Sequence, residues 1–230
     1  VPESFPRLTE QVIWGYVDFI SDMPGKNKNR FALDGGGLTT AALANLVDLA
    51  QGHITIQSPY LVLSDEAIEL FKRAIARGVK VRINTNSLAS SDNLPASSGY
   101  RNQRKSLLKM GFDIYEYRPD PEIREQLMHT LKADDEPPIF ALHAKTMVVD
   151  TKTVYIGTYN LDPRSENLNT EVGVIIRNSK LAQLVENAIE IDMRPGNSWN
   201  AATDDPDQYV SFWKRSKVRF LQMMPIKPLL

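Results

Sequence analysis

A histidine and a lysine two positions apart, His143 and Lys145, are the residues of this chain best suited to chemistry. They lie among strand formers, and side chains alternate between the faces of a strand, so both are expected on one face. An imidazole can attack phosphorus or transfer a proton near neutral pH, and an ammonium group stabilises charged phosphoryl oxygens. Asp150 is an odd number of positions from both and is predicted on the opposite face. The spacing His-x-Lys-x4-Asp therefore favours chemistry at a phosphate ester.

More polar residues follow in the same stretch. Asn160 stands in the sequence Gly-Thr-x-Asn, ten residues after Asp150, and Glu171 comes next. A half-buried hairpin with a few polar residues is the alternative interpretation, because a single histidine on a strand is usually structural. The first pattern alone would occur in roughly one or two per cent of chains this long. The added Gly157, Asn160 and Glu171 make a chance match much rarer.

The segments HAKTMVVD and GTYNLDPRSENLNTEVGV resemble the HKD motif of the phospholipase D superfamily. Within it, the chain most resembles bacterial cardiolipin synthases of the two-motif type, which are phosphatidyltransferases. The likeness extends through SPYLVLSDEAIELFKRAIARGVKVRINTNSLASSD, so it covers nearly the whole chain.

The resemblance implies a reaction that passes through a phosphohistidine and needs neither a metal ion nor a cofactor. His143 would be the nucleophile or the general acid and base, Glu171 would orient a histidine, and Asp150 would hold the motif loop. Thr158 stands where the family usually has serine, a change that keeps the hydroxyl. The residues expected to contact the substrate are Lys145, Asn160, Thr158 and Ser165.

Only one motif is present, since Thr55 follows His53 and Leu131 follows His129 where the pattern requires lysine. In the two-motif synthases, the segments that flank this motif correspond to the C-terminal half. The chain is therefore predicted to be that half, in which the histidine usually serves as general acid and base. An N-terminal half would carry the second motif. The start at Val1 rather than methionine also indicates a piece of a longer protein.

Other function classes stay open. A nuclease of the same superfamily would form its site by homodimerisation of a single-motif chain, and a fragment could lack catalysis altogether. The net charge of −1 gives no basic field to attract nucleic acid. The chain is also longer than such nucleases require. These features favour a phospholipid substrate and make nucleic acid an unlikely partner.

Helix and strand signals alternate around the motif and predict an α/β fold, with a mixed, largely parallel sheet flanked by helices on both faces. The loop at 85–87 follows a predicted strand at the edge where such sheets bind ligands, although an ordinary polar turn is equally favoured. Apolar residues at helical spacing in 8–20 predict an amphipathic segment. Helices are expected at 39–51, 65–78, 100–110 and 180–191, and strands at 54–57, 79–83, 112–117, 140–149, 153–157 and 171–176.

A chain of 230 residues with 42% hydrophobic content can bury one full core, so residues 1–205 are predicted to form one phospholipase D-like domain. Residues 206–230 form a basic, apolar tail. It is expected either to lie on an anionic membrane surface or to pack as a helix on its own domain. The proline-rich connection at 118–138 is a lid candidate.

The chain has no cysteine, which excludes thiol catalysis and disulfides and fits a reducing compartment. No segment resembles a signal peptide, and no apolar run approaches the roughly 18 residues that cross a bilayer. We expect a cytoplasmic protein that is peripheral to the inner membrane.

Overall fold

A computed structural model describes residues 12–26, 36–124 and 139–224 of the chain. Its strands are β1 (Val17–Ser21), β2 (His53–Gln57), β3 (Lys80–Asn86), β4 (Phe112–Tyr117), β5 (Thr146–Val149), β6 (Thr153–Gly157), β7 (Val172–Arg177) and β8 (Ser198–Asn200). Its α-helices are α1 (Leu38–Leu49), α2 (Asp65–Ala76), α3 (Leu94–Met110), α4 (Pro163–Asn167), α5 (Ser179–Asp192) and α6 (Phe212–Gln222). A 3-10 helix spans Pro206–Tyr209.

All eight strands belong to one sheet, in the order β1-β7-β6-β5-β2-β3-β4-β8. The α/β class and the mixed sheet are confirmed, but the expectation of a largely parallel sheet is wrong. Among the described strands, only β2 with β3 and β3 with β4 are parallel, and the other five pairings are antiparallel. The parallel pairs follow from the helical crossovers through α2 and α3, whereas a tight turn makes β5 and β6 a hairpin.

Helices cover both faces of the sheet, as the sequence predicts. On one face, Phe71 of α2 and Leu107 of α3 belong to the same buried cluster as Ile83 of β3. On the other face, Ile189 of α5 packs with Val148 of β5. The middle strands are therefore buried on both faces, and solvent reaches the sheet at the loops that follow the strand ends.

Three local expectations differ from the structure. The segment predicted at helical spacing contains strand β1, because antiparallel pairing with β7 satisfies its backbone hydrogen bonds. The motif strand begins only at Thr146, and helix α3 begins at Leu94, six residues early. Residues 1–11 and 125–138, which include most of the lid candidate, lie outside the described residues.

The tail contains helix α6, one side of which packs on the domain. Val218 is fully buried in a cluster with Leu88 and Val210. The opposite side is open, and Trp213 and Phe220 are 75% and 63% exposed. None of the helices in the described ranges has both the length and the apolar character needed to cross a bilayer.

Candidate functional site

Most of the predicted site residues gather at one edge of the sheet. His143 and Lys145 come just before β5, Thr158 and Asn160 come just after β6, and Glu171 comes just before β7. These three strands are antiparallel neighbours, so those ends lie side by side. Because β5 is also antiparallel to β2, the same edge is the carboxyl edge of the parallel strands. Folds of this class commonly bind ligands there.

The histidine and the lysine are in direct contact. Lys145 Nζ lies 3.2 Å from His143 Nε2 and donates a hydrogen bond of 3.0 Å to the His143 carbonyl oxygen. An ammonium group can only donate, so Nε2 is the acceptor in the first contact. Burial lowers the pKa of Lys145, although the carboxylates of Glu171 and Asp162 act to raise it. A cation partly withdrawn from water attracts an anionic oxygen more strongly than an exposed one.

Glu171 is buried beside this pair and is fixed by several contacts. Its carboxylate accepts a hydrogen bond from the Thr158 hydroxyl, which in turn accepts the Val172 N–H at 3.0 Å. The Glu171 N–H donates to Asp22 Oδ2 at 3.0 Å, and the Asp22 carboxylate also accepts a hydrogen bond from Lys26 Nζ at 2.7 Å. The position of Glu171 therefore depends on the segment after β1 as well as on β6.

The loop that carries Asn160 is also held tightly. The Asn160 N–H donates to Ser165 Oγ at 3.2 Å, and the Ser165 N–H donates to Asp162 Oδ1 at 2.7 Å, which caps α4. The Leu161 N–H donates to Ser58 Oγ at 3.0 Å. The side-chain carbonyl oxygen of Asn160 is buried and has no hydrogen-bond partner among the residues described. The Asn160 amide thus sits on an ordered loop with unused hydrogen-bonding capacity.

Glycines bring β6 and β7 close together at this edge. Gly157 pairs with Gly173, and the ring of Tyr155 lies against both. A Cβ atom at either glycine would collide with that ring. The glycine of Gly-Thr-x-Asn is therefore required by packing.

Two predicted site residues have other positions. Asp150 lies at the far end of β5 from His143, and its carboxylate accepts the N–H groups of residues 51 to 53 at 2.7 to 2.9 Å. Burial alone would raise the pKa of Asp150, but these three hydrogen bonds lower it. Ser165 is fully buried, with its hydroxyl occupied by the Asn160 N–H. The expected substrate contact of Ser165 is corrected to ordering of the Asn160 loop, because α4 turns this side chain inward.

Asn86, at the end of β3, holds the segment that leads into His143. Its Oδ1 accepts the Leu142 N–H at 2.8 Å, and its Nδ2 donates to the Leu142 carbonyl oxygen at 2.9 Å. This side chain completes a backbone-like pair of hydrogen bonds with the residue next to the motif histidine. The sequence singled out the loop at 85–87 but gave no sign of this partner, which is 56 residues away.

Sequence reasoning missed the structural roles of three residues around Glu171 and Asn160. Asp162 could have been found from the pattern Asp-Pro-x-Ser, which is typical of a helix N-terminus. Asp22 and Lys26 carry no such local signal, because both depend on contacts across the sheet. Across the described ranges, no group of three or more His, Asp and Glu side chains is placed to hold a metal ion.

Comparisons with known proteins agree with this geometry. A family model described as "Cardiolipin synthase, PLD-like domain" matches residues 43–193. Cardiolipin synthase C of Escherichia coli (strain K12) is 32% identical over 240 aligned residues, which cover 96% of this chain and 50% of that protein. The chain thus spans about half the length of this curated relative.

Solved structures share the fold at lower identity. Nuc from Salmonella typhimurium, a phospholipase D family member, has a TM-score of 0.55 at 18% identity, covering 80% of this chain and 99% of that one. Phosphatidylserine synthase of Haemophilus influenzae Rd KW20 has a TM-score of 0.62 at 14% identity, covering 93% and 47%. With an HKD pattern on the matching fold and a family model over most of its length, the chain belongs to the cardiolipin synthase-type PLD-like domain family of the phospholipase D superfamily.

Proposed function

We propose that this chain supplies one catalytic half of a phosphatidyltransferase that acts on phospholipid phosphodiesters, as the names of its relatives suggest. The observation that carries the proposal is the contact of 3.2 Å between Lys145 Nζ and His143 Nε2 at the carboxyl edge of the sheet. Asn160 and the bonded pair of Thr158 and Glu171 stand at the same edge. The cluster combines a proton-transfer group with a cation and an amide suited to phosphate oxygens.

Transfer at a phosphodiester requires two histidines in this scheme. One histidine nitrogen forms a bond to phosphorus while the bond to the leaving alcohol oxygen breaks, and the other histidine protonates that oxygen. The acceptor alcohol then gives its proton to the second histidine and attacks phosphorus, and the phosphorus–nitrogen bond breaks. His143 would take the acid and base role, and Lys145 and Asn160 would stabilise the charge on the phosphoryl oxygens.

The second histidine must come from outside this chain. It could belong to the remainder of a longer protein, since the chain covers 50% of the E. coli synthase. A second copy of this chain is the alternative source. Within the described residues, no hydrogen bond joins Glu171 to His143, so we propose that Glu171 orients the incoming histidine.

An enzyme that acts on phospholipids must also reach a membrane surface. On α6, the exposed Trp213, Lys217 and Phe220 are at i, i+4 and i+7 spacing and share one side of the helix. We propose that this side contacts an anionic bilayer, with the protein peripheral to the cytoplasmic face of the inner membrane. A basic residue near such a surface contributes on the order of 1 kcal/mol.

The test measures transfer or cleavage of the lipid phosphodiester in phosphatidylglycerol vesicles. It uses the full-length natural protein that contains this chain. His143→Ala should abolish turnover, whereas His53→Ala should retain it. His53 is a matched control because it pairs with Glu186 at 2.8 Å, at the opposite end of β2 from the site. Turnover that survives His143→Ala would overturn the proposal.

The source of the second histidine needs a separate experiment. The 230-residue chain is assayed alone over a range of concentrations, beside a plasmid-nicking assay. A rate per chain that rises with concentration supports a homodimer, and rescue only by the N-terminal half supports a two-half enzyme. Nicking without lipid turnover would replace the phosphatidyltransferase by a nuclease.

A further inference from the structure

A second recess lies beside the catalytic cluster. It is a cavity of about 400 Å³ that His143 lines on one side. Lys145, Asn160 and Glu171 are not among the described residues that line it, so it is distinct from the phosphate site proposed above. Its polar lining comes from Tyr60, Asn86, Ser90, Ser91, Asp92, His143 and Lys214. The volume corresponds to roughly a dozen water molecules at about 30 Å³ each, which is enough for a small polar ligand.

The positive charge in this cavity comes from the tail helix. Lys214, in the first turn of α6, donates a hydrogen bond of 2.7 Å from Nζ to the Ser91 carbonyl oxygen. An ammonium group has three N–H donors, so this contact leaves capacity for a ligand. Burial lowers the pKa of Lys214, and the exposed carboxylate of Asp92 opposes that effect. A half-buried cation of this kind is best satisfied by an anionic oxygen.

The packing of α6 against the domain holds the Lys214 side chain in this position. Val218, one turn after Lys214, is fully buried against the loop that precedes α3. At the end of the helix, Gln222 and Asn102 of α3 exchange hydrogen bonds of 2.9 and 3.2 Å. The tail therefore has two sides with different tasks, an inner side that reaches the cavity and an outer aromatic side.

We infer that this cavity binds an anionic, phosphorylated polyol, the headgroup portion of a substrate whose phosphodiester reacts at His143. This inference rests on the proposed function. The ammonium of Lys214 would contact the anionic group, and Tyr60 and Asp92, which line the same cavity, would meet the polyol hydroxyls. A fatty acyl chain would leave the remaining N–H donors of the half-buried ammonium unused. Lys214 is thereby a specificity-determining residue that the HKD pattern does not contain.

The experiment measures binding of sn-glycerol 3-phosphate to the 230-residue chain by NMR titration, with glycerol and inorganic phosphate as comparison ligands. Lys214→Met should weaken binding about tenfold or more, because one charge-assisted hydrogen bond is lost. Lys217→Met, the matched control on the exposed side of α6, should stay within about twofold on the same scale. Thermal unfolding checks both variants, and Lys214→Gln replaces Lys214→Met if the latter does not fold.

Several results would overturn the inference. Equal weakening by Lys214→Met and Lys217→Met would indicate a general charge effect. Binding that depends on Lys145 but not on Lys214 would place the anion in the catalytic site. If inorganic phosphate binds as tightly as glycerol phosphate, the cavity does not recognise the polyol. If neither ligand binds, the cavity is not a ligand site.

The result is separable from the proposed catalytic role. If turnover survives His143→Ala while glycerol phosphate binding depends on Lys214, the proposed function fails and the cavity assignment stands. If turnover requires His143 but binding ignores Lys214, only the cavity assignment fails.

Discussion

Replacing Asn86 by alanine should slow turnover much more than it destabilises the fold. The substitution removes two buried hydrogen bonds, of 2.8 and 2.9 Å, that hold the backbone of Leu142. It also removes two longer ones, to the Pro59 carbonyl oxygen at 3.4 Å and from the Ser90 hydroxyl at 3.3 Å. At about 1 kcal/mol for each bond, the free energy of unfolding should fall by roughly 2–4 kcal/mol. His143 is the next residue, and a displacement of about 1 Å at a reacting group costs roughly a hundredfold in rate. We therefore expect kcat to fall about a hundredfold with a small change in KM.

The structure offers a close control on the same strand. Asn84, two residues earlier, is also buried, and its Nδ2 donates to the Tyr115 carbonyl oxygen and to Ser198 Oγ at 3.1 and 2.9 Å. Neither partner adjoins His143, so Asn84→Ala should lower stability to a similar extent while kcat changes little. Turnover on phosphatidylglycerol vesicles and urea unfolding, measured for both variants, separate the two effects.

The reasoning would be refuted if Asn86→Ala kept its kcat. It would also be refuted if Asn84→Ala and Asn86→Ala lost kcat equally, since activity would then follow stability alone. A loss confined to KM would indicate that Asn86 contacts the substrate without positioning His143.

The remaining expectations concern the phosphate site, the metal requirement, one buried acid and the tail. Lys145→Met should lower kcat by roughly 100- to 1,000-fold in a vesicle turnover assay, because it removes the ammonium group that we propose binds the reacting phosphate. Turnover should survive EDTA, since the phosphohistidine route needs no metal ion, and assays with and without added divalent cations test this. Burial raises the pKa of Glu116 to about 7 from its ordinary 4.5, so the folded state holds a proton that the unfolded chain releases. Stability should thus fall by about 3 kcal/mol as pH rises between those values, and Glu116→Gln should flatten the urea midpoints across that range. Trp213→Ser combined with Phe220→Ser should reduce co-sedimentation with anionic vesicles, because the exposed aromatic side of α6 is removed.

Each of these expectations has a contrary outcome. Near-normal kcat in Lys145→Met would remove that lysine from phosphate binding. Turnover lost on chelation and restored by a divalent cation would overturn the metal-free route. If Glu116→Gln shows the same dependence of stability on pH as the wild-type chain, another group binds the proton. If the double variant co-sediments with vesicles as well as the wild-type chain, the exposed side of α6 does not bind the membrane.

The sequence by itself determined the features that depend on near neighbours in the chain. The alternation of a strand-forming segment put His143 and Lys145 together, and they are in contact although the strand starts only at Thr146. The start of α2 was also readable, because Ser64 caps it by accepting the Ala67 N–H at 3.1 Å. The motif, the α/β class and the family followed from such short-range patterns.

Only the tertiary structure decided which distant groups meet at the site. Pairing with β7 made the N-terminal segment a strand and brought Asp22 to Glu171, 149 residues along the chain. The packing of α6 carried Lys214 to Ser91, 123 residues away, and so placed a cation in the cavity that His143 also lines. Periodicity records which way a side chain faces within its own element, but the partner it meets depends on strand order and helix docking. Those are set by burial summed over the whole core.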